Sequence, residues 1–226
     1  MYGAIDLQEA TAAVHFALDH GVTLVDTAEG YGPWRAEEVL GKALRARRKD
    51  VVLVTKVGLT WDSNGKMQGL DASRKQILSA TEGCLTRLQT DWVDLLLMHW
   101  PDHQTPAEET IGALEELKRA GKIREYGVSN YSVDMMEQCE KYGHLATTQV
   151  GYHLFDRRVE SRSSRTAPPT GSASWRTARW ALGSSPGPSR RPRRSPRTTG
   201  ARGGKPSGCR SWQANPSSAA CASWID

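Results

Sequence analysis

The run Trp92-Val-Asp-Leu-Leu-Leu-Met-His99 decides the fold, because an apolar stretch of strand length ends on an ionisable side chain. Three other runs have the same form: Val22-Thr-Leu-Val-Asp26, Val51-Val-Leu-Val-Thr-Lys56 and Tyr126-Gly-Val-Ser-Asn130. Helical patterns lie between them, so the strands they predict are parallel. In a parallel barrel, reactive groups collect at the carboxyl ends of the strands. Asp26, Lys56, His99 and Asn130 are then expected to face one another.

Leu7, Ala10, Val14, Ala17 and Leu18 recur at helical spacing, and Ala36 to Ala46 continues the pattern after the Gly30-Tyr31-Gly32-Pro33 turn. Ser73 to Leu88 predicts a third helix capped by Ser73, with Ile77, Ala80, Cys84, Leu85 and Leu88 on one face. A fourth starts at Thr105-Pro106-Ala107-Glu108, with Thr105 as cap and Glu108 completing a capping box, and stops near Gly121. Ile123 to Ser129 then predicts a strand, Ser132 to Tyr142 a helix and Thr147 to Val150 a fifth strand.

The 226 residues divide sharply near Glu160. Up to that point there are 18 Lys and Arg against 24 Asp and Glu, whereas residues 161–226 hold 12 against 1. Leu182 and Ile225 are the only Leu, Ile, Val or Phe in that second part, which is rich in Ser, Arg, Pro and Gly. Burial there cannot offset the entropy of ordering. The expected organisation is a partial barrel over residues 1–160 and a disordered basic tail over 161–226.

Cys84, Cys139, Cys209 and Cys221 form no zinc spacing or CxxC pair, and Met1 to Asp6 does not read as a secretory leader. A reducing cytoplasm is the expectation. No run approaches the roughly 18 apolar residues of a membrane span. His103, His144 and His153 give no spacing for a metal, so no metal is expected; Trp61, Trp100 and Tyr152 read as packing or pocket walls.

No glycine-rich dinucleotide fingerprint follows any strand, and the polar residues close several successive strands instead of gathering at one switch point. The fold class is therefore α/β, an incomplete (β/α)8 TIM barrel. For the carbonyl reduction that a family resemblance of these motifs implies, the residue chemistry is consistent: a hydride delivered to a carbonyl carbon leaves charge on the oxygen, and Tyr31 can donate the proton that charge requires. A neighbouring ammonium such as Lys56 favours the phenolate left behind. Asp26 would hold that ammonium, and His99 can hydrogen-bond the carbonyl. Taken singly each has a plainer reading, Tyr31 as a turn residue and Asn130 as a helix cap before Ser132; their combination is what points to a site.

Asp26-Thr-Ala-Glu-Gly-Tyr31-Gly, Thr55-Lys56-Val-Gly, Leu97-Met-His99-Trp-Pro, Gly127-Val-Ser129-Asn130-Tyr and Gln149 resemble, in order and spacing from about Leu7 to Glu160, the motifs of the aldo-keto reductases. These are nicotinamide-dependent carbonyl reductases on a (β/α)8 barrel. The resemblance implies Tyr31 as general acid, Lys56 and Asp26 as its tuning pair and His99 as the fourth member of a tetrad. It implies Ser129, Asn130 and Gln149 as holders of the nicotinamide carboxamide, with NADPH, or alternatively NADH, as cofactor and a small carbonyl compound as substrate. Other readings are a cofactor-binding barrel without turnover and a nucleic-acid contact through Arg190-Arg-Pro-Arg-Arg194, where no folded reader accompanies the charge.

Against that family pattern, only Met1 to Asp6 precede the first helix, so the first barrel strand is expected to be missing, and the two βα units expected beyond Glu160 are not recognisable. With those neighbours gone, Val22 to Asp26 and Thr147 to Val150 are expected as unpaired edges. The tail itself suggests a cause. Joining the third base of each codon to the first two of the next lets Ser164 to Ala181 be read as Leu-Pro-Tyr-Cys-Ala-Ala-His-Gly-Ile-Gly-Phe-Met-Ala-Tyr-Gly-Thr-Leu-Gly, which resembles a helix end and strand of the family. A one-base frame displacement shortly after Glu160 is the expectation.

Overall fold

A computed structural model of the protein describes residues 6–151 and the backbone of residues 173–177. Helix α1 (Leu7–Asp19) is capped by the Asp6 carboxylate, which accepts the N–H groups of Gln8 and Glu9. Strand β1 (Leu24–Asp26), helix α2 (Arg35–Leu44), strand β2 (Val52–Val57), helix α3 (Arg74–Leu88), strand β5 (Val93–Met98), helix α4 (Ala107–Arg119), strand β6 (Ile123–Ser129), helix α5 (Val133–Cys139) and strand β7 (Thr147–Gly151) then alternate. A hairpin of β3 (Leu59–Trp61) and β4 (Met67–Leu70) interrupts the alternation after β2, and β8 (Ala173–Thr177) follows β7. The main sheet runs in the order β1-β2-β5-β6-β7-β8, with every neighbouring pair parallel. With helices in the crossovers, this is half of a (β/α)8 barrel.

Several expectations are corrected. The sheet has six strands where five were expected, because Ala173–Thr177 pairs with β7 from Thr147↔Ala173 to Gly151↔Thr177. β7 is therefore no edge, and the segment expected to be disordered contributes a strand; β1 remains the outer strand on the other side. The hairpin was not foreseen at all. Helix α4 is capped at Pro106, not Thr105, whose hydroxyl donates instead to Asp102 Oδ2 at 2.6 Å. Residues 152–172, Tyr152 and His153 among them, and residues 178–226 lie outside the described residues.

Alternation along the strands divides the sheet into two faces. Leu53, Val57, Leu96, Met98 and Val128 turn outward into a core with Ile77, Leu88, Ile111, Leu114 and Leu117 from the helices. Leu24, Val54, Leu95 and Leu97 form a smaller cluster on the opposite face. Lys56 follows Val54 in that inner row, in register with Leu97 of β5, and Asp26 pairs with Val54 from β1. Barrel alternation thus delivers both charged groups to the concave side.

The amino-terminal ends of the strands are closed by a different device. The Trp92 ring has the guanidinium carbons of Arg48 and Arg124 each 3.8 Å from its centroid, a distance both can reach only from opposite faces. Asp94 joins the two arginines, accepting from Arg48 Nη2 and Arg124 Nη1 at 3.0 Å each, and its Oδ2 also accepts the Leu53 N–H. A single carboxylate thereby ties β2, β5 and β6 at their base.

Helices α2 and α3 meet across Gly41, where a Cβ would fall within 2.8 Å of the Leu88 backbone and still closer to the Arg87 carbonyl. Backbone cannot step aside as a side-chain tip can. Overpacking at this backbone contact costs about 1–3 kcal/mol against the gain of roughly 1 kcal/mol that alanine brings inside a helix, so Gly41→Ala is expected to destabilise the fold by about 1–2 kcal/mol net. Urea unfolding followed by far-UV circular dichroism measures the difference.

Candidate active site

Lys56 sits near the end of β2 and is 1% exposed, so its ammonium needs partners inside the protein. It has them. Nζ donates to Asp26 Oδ1 at 2.6 Å and to the Thr27 carbonyl at 2.8 Å, and it lies 3.4 Å from the Tyr31 hydroxyl. Tyr31 itself is 45% exposed, which leaves its phenol open to solvent on the side away from the ammonium. The His99 ring stands edge-on to the Tyr31 ring, with centroids 5.9 Å apart at 83°. The four residues expected at the ends of β1, β2 and β5 and in the turn after β1 are therefore brought together.

The second expected group is assembled on β6 and β7. Asn130 follows β6 with φ of 64°, a left-handed conformation that asparagine tolerates better than most residues. That turn directs its amide Nδ2 to the His99 carbonyl and to Ser129 Oγ, each at 3.0 Å. Asn130 is no helix cap; Ser132 takes that role, accepting the Met135 N–H. Gln149 on β7 donates through Nε2 to Asp26 Oδ2 at 3.0 Å. Asp26 thus joins Lys56 on β2 to Gln149 on β7, and the two expected groups form one network.

A primary carboxamide presents an N–H donor pair and a carbonyl acceptor. With the Asn130 and Gln149 amide nitrogens engaged as described, their Oδ1 and Oε1 atoms can accept, while the Ser129 hydroxyl can donate. The residues present fit a nicotinamide carboxamide. Among the described residues no group of His, Cys, Asp and Glu has the arrangement of a metal site.

Behind the Tyr31 turn lies a cluster of buried charges that sequence reading overlooked. Glu37 of α2 is 0% exposed, accepts the Thr55 hydroxyl at 2.5 Å and pairs with Arg87 Nε of α3 at 2.7 Å. Glu29, in the turn after β1, is 2% exposed and accepts the Leu59 N–H at 3.0 Å through Oε1. Burial pushes the Glu29 carboxyl up to about 7; the Leu59 N–H opposes the rise and the nearby Glu37 charge adds to it. Burial likewise pushes the Cys84 thiol well above its ordinary range. The signal for Glu37 was available, because it falls on the α2 stripe with the buried Leu40 and Leu44.

The β3–β4 hairpin stands beside this turn. Leu59 Cδ1 would lie 2.8 Å from a Cβ at Gly30 and His99 ring atoms 3.7 Å from it, so the Leu59 side chain packs directly over this glycine. Trp61 of the hairpin meets Trp34 edge-on at 5.8 Å, and Trp100 stacks on His99 at 6.4 Å. Both Trp61 and Trp100 thus make ring-packing contacts beside the site.

The model of the aldo/keto reductase family matches residues 1–170. The chain belongs to the aldo/keto reductase family, whose members are oxidoreductases. It is 42% identical over 162 residues to aldo-keto reductase YhdN of Bacillus subtilis (strain 168), a match covering 71% of this chain and 48% of that protein. The glycerol dehydrogenase AKR11B4 from Gluconobacter oxydans has a similar structure, with a TM-score of 0.71 at 34% identity, covering 77% of this chain and 54% of that one. An aldo/keto reductase from Klebsiella pneumoniae in complex with NADP and acetate is similar with a TM-score of 0.59 at 40% identity, covering 68% and 52%. The chain spans about half the length of the curated relatives it matches.

The buried Glu29 carboxyl makes stability depend on pH in a definite direction. Its folded value of about 7 lies above the ordinary 4.5, so its contribution is intact below pH 4.5 and is lost as pH rises through 7. The loss is on the order of 3 kcal/mol, since each pKa unit corresponds to about 1.4 kcal/mol. Glu29→Gln should flatten the stability profile between pH 5 and 8, as read by thermal melts at half-unit intervals.

Proposed function

We propose that the protein is built for NAD(P)H-dependent reduction of an aldehyde or ketone to an alcohol, with Tyr31 as the proton donor. The observation that carries this reading is a sealed ammonium beside an exposed phenol: Lys56 Nζ is 2.6 Å from Asp26 and 3.4 Å from the Tyr31 hydroxyl. A bound nicotinamide supplies the hydride. The Tyr31 O–H donates its proton to the carbonyl oxygen as negative charge develops there. Lys56 stabilises the phenolate that remains, and Asp26 keeps Lys56 charged and aimed. His99 hydrogen-bonds the carbonyl oxygen and fixes its angle. Ser129, Asn130 and Gln149 orient the carboxamide, so that one face of the ring is presented to the substrate.

The NADP-bound Klebsiella relative supports NADPH as the cofactor. The substrate class is a small carbonyl compound reaching the phenol past Trp100, which is 38% exposed. The setting is the cytoplasm, in keeping with Cys84 and Cys139 as free thiols.

Residues 161–226 are read as an out-of-frame translation that lowers the activity of this chain. The permitted displaced peptide supports this: in it Ala173 to Thr177 correspond to Gly-Phe-Met-Ala-Tyr. Coding DNA whose codons forbid that alternative peptide removes the idea. The chain as it stands is expected to bind NADPH and NADH only weakly; submicromolar affinity in a fluorescence titration would contradict this.

Turnover is tested in a version with the frame restored. There Tyr31→Phe should leave cofactor affinity nearly unchanged and lower kcat by at least about a hundredfold, since only proton transfer is removed. Near-normal turnover would overturn the assignment of Tyr31.

A further inference from the structure

Glu29 is the buried charged group nearest the candidate acid in sequence, and the chemistry above does not use it. Its main chain is committed on both sides: the Glu29 N–H donates to the Lys56 carbonyl at 3.3 Å, and its own carbonyl accepts the Trp34 N–H at 2.8 Å. Those bonds close the turn on which Tyr31 sits. Its side chain crosses to the hairpin, where Oε1 accepts the Leu59 N–H at 3.0 Å. Leu59 in turn packs over Gly30, the residue between Glu29 and Tyr31, next to the His99 ring. The carboxyl therefore joins the turn that carries Tyr31 to the start of the β3–β4 hairpin.

We propose that Glu29 is a positioning residue for Tyr31, its buried carboxyl latching the turn that carries the phenol onto the first residue of the β3–β4 hairpin. The latch is a local contact, one side-chain hydrogen bond between a turn and a hairpin, flanked by Gly58 before it and Gly32 after Tyr31, left-handed glycines with φ of 108° and 65°. The groups facing the carboxyl decide how it responds to pH. Glu37 from α2 repels its charge, and Arg87 from α3 favours it but is already paired with Glu37 at 2.7 Å. Cys84 of α3 is a protonated thiol and brings no charge. On the sheet side lie Lys56, committed to Asp26, and the His99 ring beside Gly30.

Closed, the carboxyl ionises near 7; open and hydrated, it would ionise near 4.5. Linkage then fixes the sign. Raising the pH through 7 favours the open form, by up to about 300-fold relative to the closed one once both are fully ionised. The site is accordingly most ordered on the acid side of neutrality. The kinetic meaning of the latch rests on the reading of Tyr31 as proton donor; the latch itself does not.

The test uses the full chain labelled with [13Cζ]tyrosine and 15N-leucine, with Tyr31→Phe assigning the Tyr31 signal. In the wild type, the Tyr31 Cζ resonance and the Leu59 amide should move together between pH 5.5 and 8.5 with a common midpoint near 7. Glu29→Gln keeps the accepting oxygen and cannot ionise, so both signals should stay at their low-pH positions throughout. Glu29→Ala removes the latch and should put both at the high-pH positions at every pH. A wild-type Tyr31 signal that is flat over this range overturns the proposal. So does a step that survives unchanged in Glu29→Gln, which would belong to His99. If the signals follow the latch while the frame-restored Tyr31→Phe enzyme remains active, the functional reading fails and the positioning role stands.

Discussion

One buried ammonium organises this molecule. Lys56 is enclosed by the ends of β1 and β2, where an uncompensated charge would cost several kcal/mol. The cost is met only if Asp26 comes within hydrogen-bond reach, and that requires β1 to pair with β2 in the register Asp26↔Val54. The Thr27 carbonyl must also turn inward, which fixes the direction in which the chain leaves β1 and hence where Tyr31 lies. Register, turn and phenol position are three consequences of one desolvated charge.

The second oxygen of Asp26 extends the same constraint across the sheet. Gln149 reaches it from β7, which is separated from β1 by β2, β5 and β6. Such a bond is possible only if the sheet curls, and curling is what parallel strands of uniform twist do when helices cover one face. Curvature and site geometry therefore support each other. The outer core of Leu53, Leu96, Met98 and Val128 drives the helices onto the sheet; the inner polar bonds set how far it closes.

Much of this was legible in the sequence because it rests on short-range periodicity. The apolar runs ending on Asp26, Lys56, His99 and Asn130 specify strand, direction and carboxyl end together. What was missed depends on spatial partners. The β3–β4 hairpin did carry a local signal, Asn64-Gly65 between two short runs, but its strands of three and four residues are too brief for alternation to register. Thr105 was expected to cap α4, and Asp102 took its hydroxyl. Glu29 looks like a surface residue in the chain, since nothing local announces that Leu59 will seal it in; Glu37 lies on the buried α2 stripe, but nothing local announces that Arg87 will arrive from α3 to pair with it. β8 lies where composition argued against any ordered element.

The stack of Arg48, Trp92 and Arg124 over Asp94 gives this architecture a division of labour. The same strands are bound at their amino-terminal ends by cation–π contacts and a shared carboxylate, and at their carboxyl-terminal ends by the network around Lys56. The two ends are a strand length apart and share no side chain. Natural variation can therefore rework the residues at the mouth of the site, acquiring new specificities, while the opposite end supplies a reserve of rigidity that such changes draw down without touching its source.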